Sequence, residues 1–330
     1  MTTKRWETVL IPGTLLALLL CAFLSLRFGS THLSTAEFFG GLWRKSGSEG
    51  ATLILYQLRL PRMLAGLFAG AGLALSGTLL QKVTDNPLAA PSVLGINAGA
   101  GFFVILSLTL LPTAAALQPI AAFGGAMLTA LCILALSHRA GLGKVTVMLC
   151  GVAFSALFGA GISFLSVLDA DVLASYTAFS VGGLQGVTLR ELYLPALMIL
   201  LCLAGALTLS GRLQLFCLGD SLAASLGVSV RRVRLLALVL AAASAAAAVS
   251  FAGLLGFVGL LVPNLCRRIA KNHTRREIFL SPMAGSILLI TADLAGRTLF
   301  SPTEVPVGIF TALLGVPFFL TLLLRRKSHA

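Results

Sequence analysis

Long apolar runs dominate the chain, separated by short polar connections. About ten of them approach the length of roughly 20 residues that a bilayer core demands of a helix. They cover residues 10–26, 62–81, 93–111, 119–138, 145–168, 192–209, 235–251, 255–269, 278–299 and 307–324. The pattern predicts an all-α polytopic membrane protein. Hydrophobic residues make up 58% of the chain, and the mean hydropathy is +0.99.

Charge orients these runs. If the amino terminus lies inside, the basic clusters Lys4-Arg5, Arg139 with Lys144, Arg231-Arg232-Arg234, Arg267 to Arg276 and Arg325-Arg326-Lys327 all fall on the cytoplasmic side, as does the carboxyl terminus. The other side carries Arg27, Arg44, Lys45, Arg59, Arg62, Arg190 and Arg297, balanced by Glu37, Glu49, Asp169, Asp171, Glu191, Asp293 and Glu304. The net charge of +13 therefore reports topology and gives no reason to expect nucleic acid. Residues 1–330 read as one transmembrane domain with no linker, so a catalytic domain has nowhere to sit. Only residues 27–59 and the cytoplasmic loop 210–234 exceed a short connection.

The six cysteines form no C-x-x-C pair, and none lies in an outer loop, which argues against a disulfide or zinc framework. Leu20 stands before Cys21 where a lipoprotein processing site needs a small residue, so the first run reads as a retained span. Charge inside the spans is scarce. Asp293 and Arg297, one helical turn apart near an outer end, are expected to pair at the membrane surface. The alternative is that Asp293 is the carboxylate of a proton-coupled secondary transporter. Gly- and Ala-rich stretches such as 65–72, 95–101 and 151–161 let helix backbones approach closely.

Breaks at membrane depth come from Asn86-Pro87, Pro91, Pro263, Pro302, Pro306 and Pro317. Residues 81–91 read as a turn that leads into a re-entrant or short helix. In the loop 210–234, Asp220 or Ser221 is expected to cap a short helix and Gly227 to end it in the left-handed conformation. Leu222 and Leu226 would then form an apolar ridge, which either docks a partner or lies back on the bundle.

These blocks resemble the permease subunits of ATP-binding cassette importers of the iron-siderophore, heme and cobalamin class. The likeness runs from about Leu58 to Arg326. It rests on Leu58-Arg59-Leu60-Pro61-Arg62, residues 70–77 through Gln81, Asn86-Pro87-Leu88-Ala89, residues 218–228, Phe251-Ala252-Gly253 and 256–260 with Pro263 and Arg267, and Ala292-Asp293 with Arg297, Glu304, Pro306-Val307-Gly308, Gly315 and Pro317-Phe318-Phe319. Three positions depart from the usual pattern: Asn264 where histidine is frequent, Lys82 where a small residue is typical, and Ala90 where a polar one is common.

The resemblance implies a ten-helix subunit of a bacterial or archaeal cytoplasmic membrane. It pairs with a second permease subunit, two cytoplasmic ATPases and an extracytoplasmic solute-binding protein, surrounded by lipid. The subunit itself would be no enzyme and bind no cofactor or metal, because ATP and magnesium belong to the ATPase. It further implies ATPase-coupling contacts at Asp220, Ser221, Leu222, Ala223, Leu226 and Gly227, and carboxylate-docking arginines at Arg59, Arg62 and Arg297. Gln81, Asn86, Pro87, Pro263, Asp293 and Glu304 are expected in structural or gating roles. Ser155, Ser163 and Thr311 are expected on the pathway. A non-transporting membrane scaffold is the third reading, opposed by the breaks at Asn86-Pro87 and Pro263.

Overall fold

The computed structural model describes residues 10–44, 48–139, 144–301 and 303–327; Lys4, Arg5, Lys45 and Pro302 lie outside the described residues. The chain folds as a helical bundle. Its helices are α1 (Ile11–Arg27), α2 (Thr35–Leu42), α3 (Glu49–Leu53), α4 (Leu60–Thr84), α5 (Ile96–Leu110), α6 (Gln118–Arg139), α7 (Lys144–Leu168), α8 (Ala170–Val181), α9 (Leu189–Leu215), α10 (Asp220–Ser225), α11 (Val230–Ala252), α12 (Val258–Ile269), α13 (Thr274–Thr298) and α14 (Val307–Lys327). A π-helical stretch, Ile54–Arg59, joins α3 to α4 in one continuous rod.

Among the described residues, six helical segments are long and apolar enough to cross a membrane: Glu49–Thr84, Gln118–Ser137, Val145–Leu168, Leu189–Leu218, Val230–Ala252 and Thr274–Thr298. Three shorter apolar helices, Ile11–Arg27, Ile96–Leu110 and Val307–Thr321, accompany them. The expected span over 255–269 differs. Residues 253–257 are unwound, and the 12 residues of α12 reach only about 18 Å. Gly253 at φ 71° and Phe257 at φ 62° break the helix there. Their backbone neighbours are satisfied by α8 and the residues after it, since Leu254 N–H donates to Phe179 at 3.1 Å and Gly183 N–H to Ala252 at 3.0 Å. Buried protein thus replaces the intrahelical partners that hydrocarbon cannot supply. The helices α2, α3 and α8 occupy segments that apolar periodicity alone left as loops.

At the centre, α4 and α11 are the most deeply buried spanning segments, with 78% and 72% of their apolar windows inside. Small residues make this possible. A Cβ at Gly70 would meet the backbone of Gly285, and one at Gly77 the backbone of Gly259. Hydroxyls stitch the same seams: Ser286 Oγ donates to Leu67 O at 2.6 Å, and Ser244 Oγ to Gly72 O at 2.9 Å. Without a hydrophobic driving force between helices in lipid, such contact and bonding hold the bundle. By contrast, only 11% of the apolar window of α7 is buried.

Gly70→Ala is expected to lower stability by about 1–3 kcal/mol through overpacking, read as the thermal unfolding midpoint in detergent. Gly13→Ala should leave it unchanged, because nothing lies within 4 Å of the added carbon.

Candidate functional site

Two layers of charge cross α4 and α13. Arg62 and Lys82 stand 20 residues apart on α4, about 30 Å along a helix, which matches the thickness of a bilayer core. The layer beside Lys82 shares its membrane end with the basic loops and is termed the basic face.

On the opposite face, Arg62 grips Asp293 of α13: its Nε donates to Oδ1 at 2.9 Å, and Nη2 lies 2.8 Å from the same oxygen. Nη1 donates to Glu304 Oε2 at 2.6 Å. The expected i,i+4 pair of Asp293 with Arg297 also forms, as the longer contact at 3.4 Å. Arg62, 231 residues earlier in the chain on α4, therefore takes the nearer place. Asp293 is also 3% exposed, so the pair sits inside the bundle instead of at its surface.

Arg59 and Arg297 are likewise placed differently from the surface position expected of docking groups. Each is buried, at 4% and 3% exposure. The π-helical turn rotates Arg59 inward, where Nη1 donates to Leu26 O and Arg27 O at 2.8 Å and Nη2 to Thr31 O at 2.5 Å. Arg297 Nη2 donates to Ser25 O and Oγ at 2.6 Å. Together they cap the carboxyl end of α1, whose last carbonyls carry partial negative charge. Gly29 admits this, since a Cβ there would sit 3.2 Å from Arg297 Nη1 and 3.3 Å from Arg59 Nε.

Glu304 ties the segment before α14 to α4 through Arg62 and to the α8–α9 connection through Gln185 Nε2 at 2.6 Å. Burial pushes its carboxyl up, but the hydrogen bond and charge of Arg62, with bonds from Ser30 and Gln185, outweigh this and hold it below its ordinary 4.5.

On the basic face, Lys82 and Glu277 of α13 form a buried ion pair at 2.9 Å, with side chains 6% and 1% exposed. Lys82, a departure from the family pattern, thus has a matching partner that the sequence reading did not single out. Arg267 of α12 lies 4.0 Å from the other carboxylate oxygen and donates to Gln81 Oε1 at 3.0 Å. Gln81 Nε2 in turn reaches Gly259 O and Leu260 O at 3.5 and 3.4 Å. Asn264, following Pro263, donates Nδ2 to Pro87 O at 2.8 Å, so it joins α12 to the Asn86-Pro87 turn. Asn86 Oδ1 accepts from Leu88 N–H at 3.0 Å and Gly95 adopts φ 75°, which shapes the turn into α5.

The six residues of α10 also lie at this end. The expected cap is not made. Gly219 is the N-cap residue, and Asp220 instead accepts from Arg234 Nη2 of α11 at 2.7 and 2.9 Å. Ser221 makes no cap either and is exposed. Gly227, at φ 82°, ends the helix as expected. Val228 N–H donates to Ala223 O and Gly227 N–H to Ala224 O, a Schellman arrangement. Ala223 is fully buried, whereas Leu222 and Leu226 are 56% and 60% exposed. The ridge does not lie back on the chain.

Of the expected pathway residues, Ser163 is exposed and its hydroxyl donates to Gly159 O at 3.0 Å. Thr311 is 2% exposed. Ser155 packs where α7 meets Gly95, its Oγ 3.1 Å from the position of a Cβ there. Neither Thr311 nor Ser155 presents an open polar group.

Lys82→Met should cost about 3–5 kcal/mol, because it strands a buried carboxylate. The double change with Glu277→Met should recover most of the loss in chemical unfolding. The Glu304 tie is present in full above pH 4.5 and is lost as pH falls through the lowered folded-state value. Glu304→Gln should abolish that acid dependence of the unfolding midpoint.

The geometry has close counterparts. The chain is 36% identical over 317 residues to the achromobactin transport system permease protein CbrC of Dickeya dadantii, covering 95% of this chain and 90% of that one. It is 37% identical over 327 residues to the hemin transport system permease protein HmuU of Yersinia pestis, covering 96% and 97%. A metal-chelate type ABC transporter solved in an inward-facing conformation superposes with a TM-score of 0.84 at 29% identity, over 96% of this chain and 99% of the other. The FecCD transport family model matches residues 17–325, and the chain belongs to that family.

Proposed function

We propose that this chain is the membrane-spanning permease subunit of an ATP-driven importer that takes up a metal chelate, an iron-siderophore or heme, delivered by a solute-binding protein. Family membership over nearly the whole chain supports the class, and relatives named for achromobactin, hemin and Fe(3+) dicitrate transport support the cargo. One observation carries the mechanism: α10 is held rigidly by Arg234 and its Schellman end, yet turns two leucines outward. A helix so fixed and so exposed is built to receive a push from a docked partner.

In this reading residues 1–330 form one ten-helix domain with both termini in the cytoplasm, α12 counting as a span together with the extended residues before it. The basic face is cytoplasmic and α10 meets an ATPase, which alone hydrolyses ATP. The sparsely buried α7 and the exposed Leu313 and Leu314 of α14 meet a second permease subunit around the pathway. A solute-binding protein docks at the opposite face. There Arg62 keeps 14% exposure, while Arg59 and Arg297 would first have to leave the α1 carbonyls. Proton coupling through Asp293 fares poorly, because its two neighbours are arginines, which do not give up protons in proteins.

Purification from native membranes in mild detergent, with mass spectrometry of retained proteins, tests this. An ATPase at near-stoichiometric yield is expected, and Leu222→Asp with Leu226→Asp should release it while the permease stays folded. Full retention by that double variant would exclude α10 as the contact. Recovery of the unaltered chain without any ATPase would sink the importer reading.

A further inference from the structure

At the face opposite the basic loops, α2 closes the path from α1 toward the π-helical turn. Its start is fully specified. Ser34 Oγ accepts from Glu37 N–H at 3.2 Å, and Ser34 N–H donates to Glu37 Oε2 at 2.7 Å, a complete capping box. One side of α2 packs inward: Phe38 is 1% exposed, and a Cβ at Gly41 would lie 2.9 Å from the backbone of Ala51. The other side carries Phe39, Leu42 and Trp43, spaced i, i+3, i+4, and all three are exposed, Trp43 at 72%. Leu53 and Leu58 extend the apolar surface along α3 and the π-helical stretch.

The buried Phe38 ring beneath this stripe ties it to α1. Phe38 meets Phe39 and Phe23 edge-on, at 5.4 and 6.0 Å between ring centres. Phe23 in turn lies on the α1 surface that exposes Leu16, Leu19 and Leu20. An apolar wall of this kind on a spanning helix faces acyl chains. Where it ends, the chemistry changes as it does at a headgroup boundary. The Arg44 guanidinium lies 4.5 Å above the Tyr56 ring, and Tyr56 Oη donates to Leu42 O at 3.1 Å. Tryptophan, tyrosine and arginine at the end of an apolar wall form the pattern of a membrane interface.

We propose that α2 lies in the headgroup–acyl boundary of the leaflet opposite the basic face, with Phe39, Leu42 and Trp43 immersed in lipid and Arg44 at headgroup level. The occupant is the lipid itself. Bound lipid would brace the rod from α3 into the π-helical turn, and so hold Arg59 against the end of α1. This goes beyond the transport reading and does not depend on it.

The chain has 2 tryptophans, so Trp6→Phe leaves Trp43 as a single reporter. The full-length variant, reconstituted in nanodiscs, is titrated with aqueous iodide. It is also compared in lipids brominated at shallow or deep acyl positions. The expected result is strongest quenching by shallow bromines, with iodide quenching several-fold below that of free tryptophan. Phe39→Gln with Leu42→Gln should weaken quenching by shallow bromines and raise iodide quenching toward that of free tryptophan, while the gel-filtration profile stays unchanged. Iodide quenching near the free rate without a bromolipid effect would overturn the proposal. So would shielding that arises only when a solute-binding protein is added, which would make the stripe a protein-docking surface.

Discussion

Gly70 and Gly285 bring the backbones of α4 and α13 so close that neither position accepts a Cβ, and an ion pair pins this seam at each membrane level. Arg62 with Asp293 holds one end, and Lys82 with Glu277 the other. Hydrocarbon offers no water to a stranded charge and no hydrophobic reward for helix contact, so the charges must find each other and the backbones must touch. Once this seam is set, α11 packs on α4 through Gly72 and Ser244, and α12 through Gly77 and Gly259. The other elements are arranged around that frame.

The frame also explains why irregular backbone is tolerated inside it. The break at Gly253 to Phe257 borrows donors and acceptors from Phe179 and Gly183, and the Phe257 ring fits against Gly315 of α14 because that position has no side chain. The Asn86-Pro87 turn is held by Asn264 from α12. Both irregular segments are therefore cross-tied to helices distant in sequence. The first is tied to α8 and α14, the second to α12.

The surface complements this interior. Leucine and valine project from α7, α9 and α14, and a lone chain leaves them uncovered. Lipid covers such a wall without specificity, and a second subunit covers it with shape complementarity. The leucines of α10 are different, because they project from a short helix that Arg234 ties down at the end of the bundle carrying the basic loops.

By itself the sequence determined the membrane class, the placement of most spans, the left-handed stop at Gly227 and the shared face of Leu222 and Leu226, because these follow from runs, periodicity and one residue's conformational freedom; that this face is exposed only the structure decided. The resemblance added the transport class from ordered short blocks, and the family match confirmed it. Only the tertiary structure decided the partners of charge. Asp293 does pair with Arg297 one helical turn on, at 3.4 Å, but Arg62 approaches from another helix and lies nearer, at 2.8 Å, which no spacing along the chain reveals. Asp220 looked like a cap, yet Arg234 claims it. Arg59 looked like a surface group until a π-helical turn, which no spacing rule reveals, rotated it under α1. Glu277 had no sequence signal beyond being a charge near a span that needed an opposite one. Local rules see separations along the chain, whereas a buried charge is satisfied by whatever packing brings within about 3 Å.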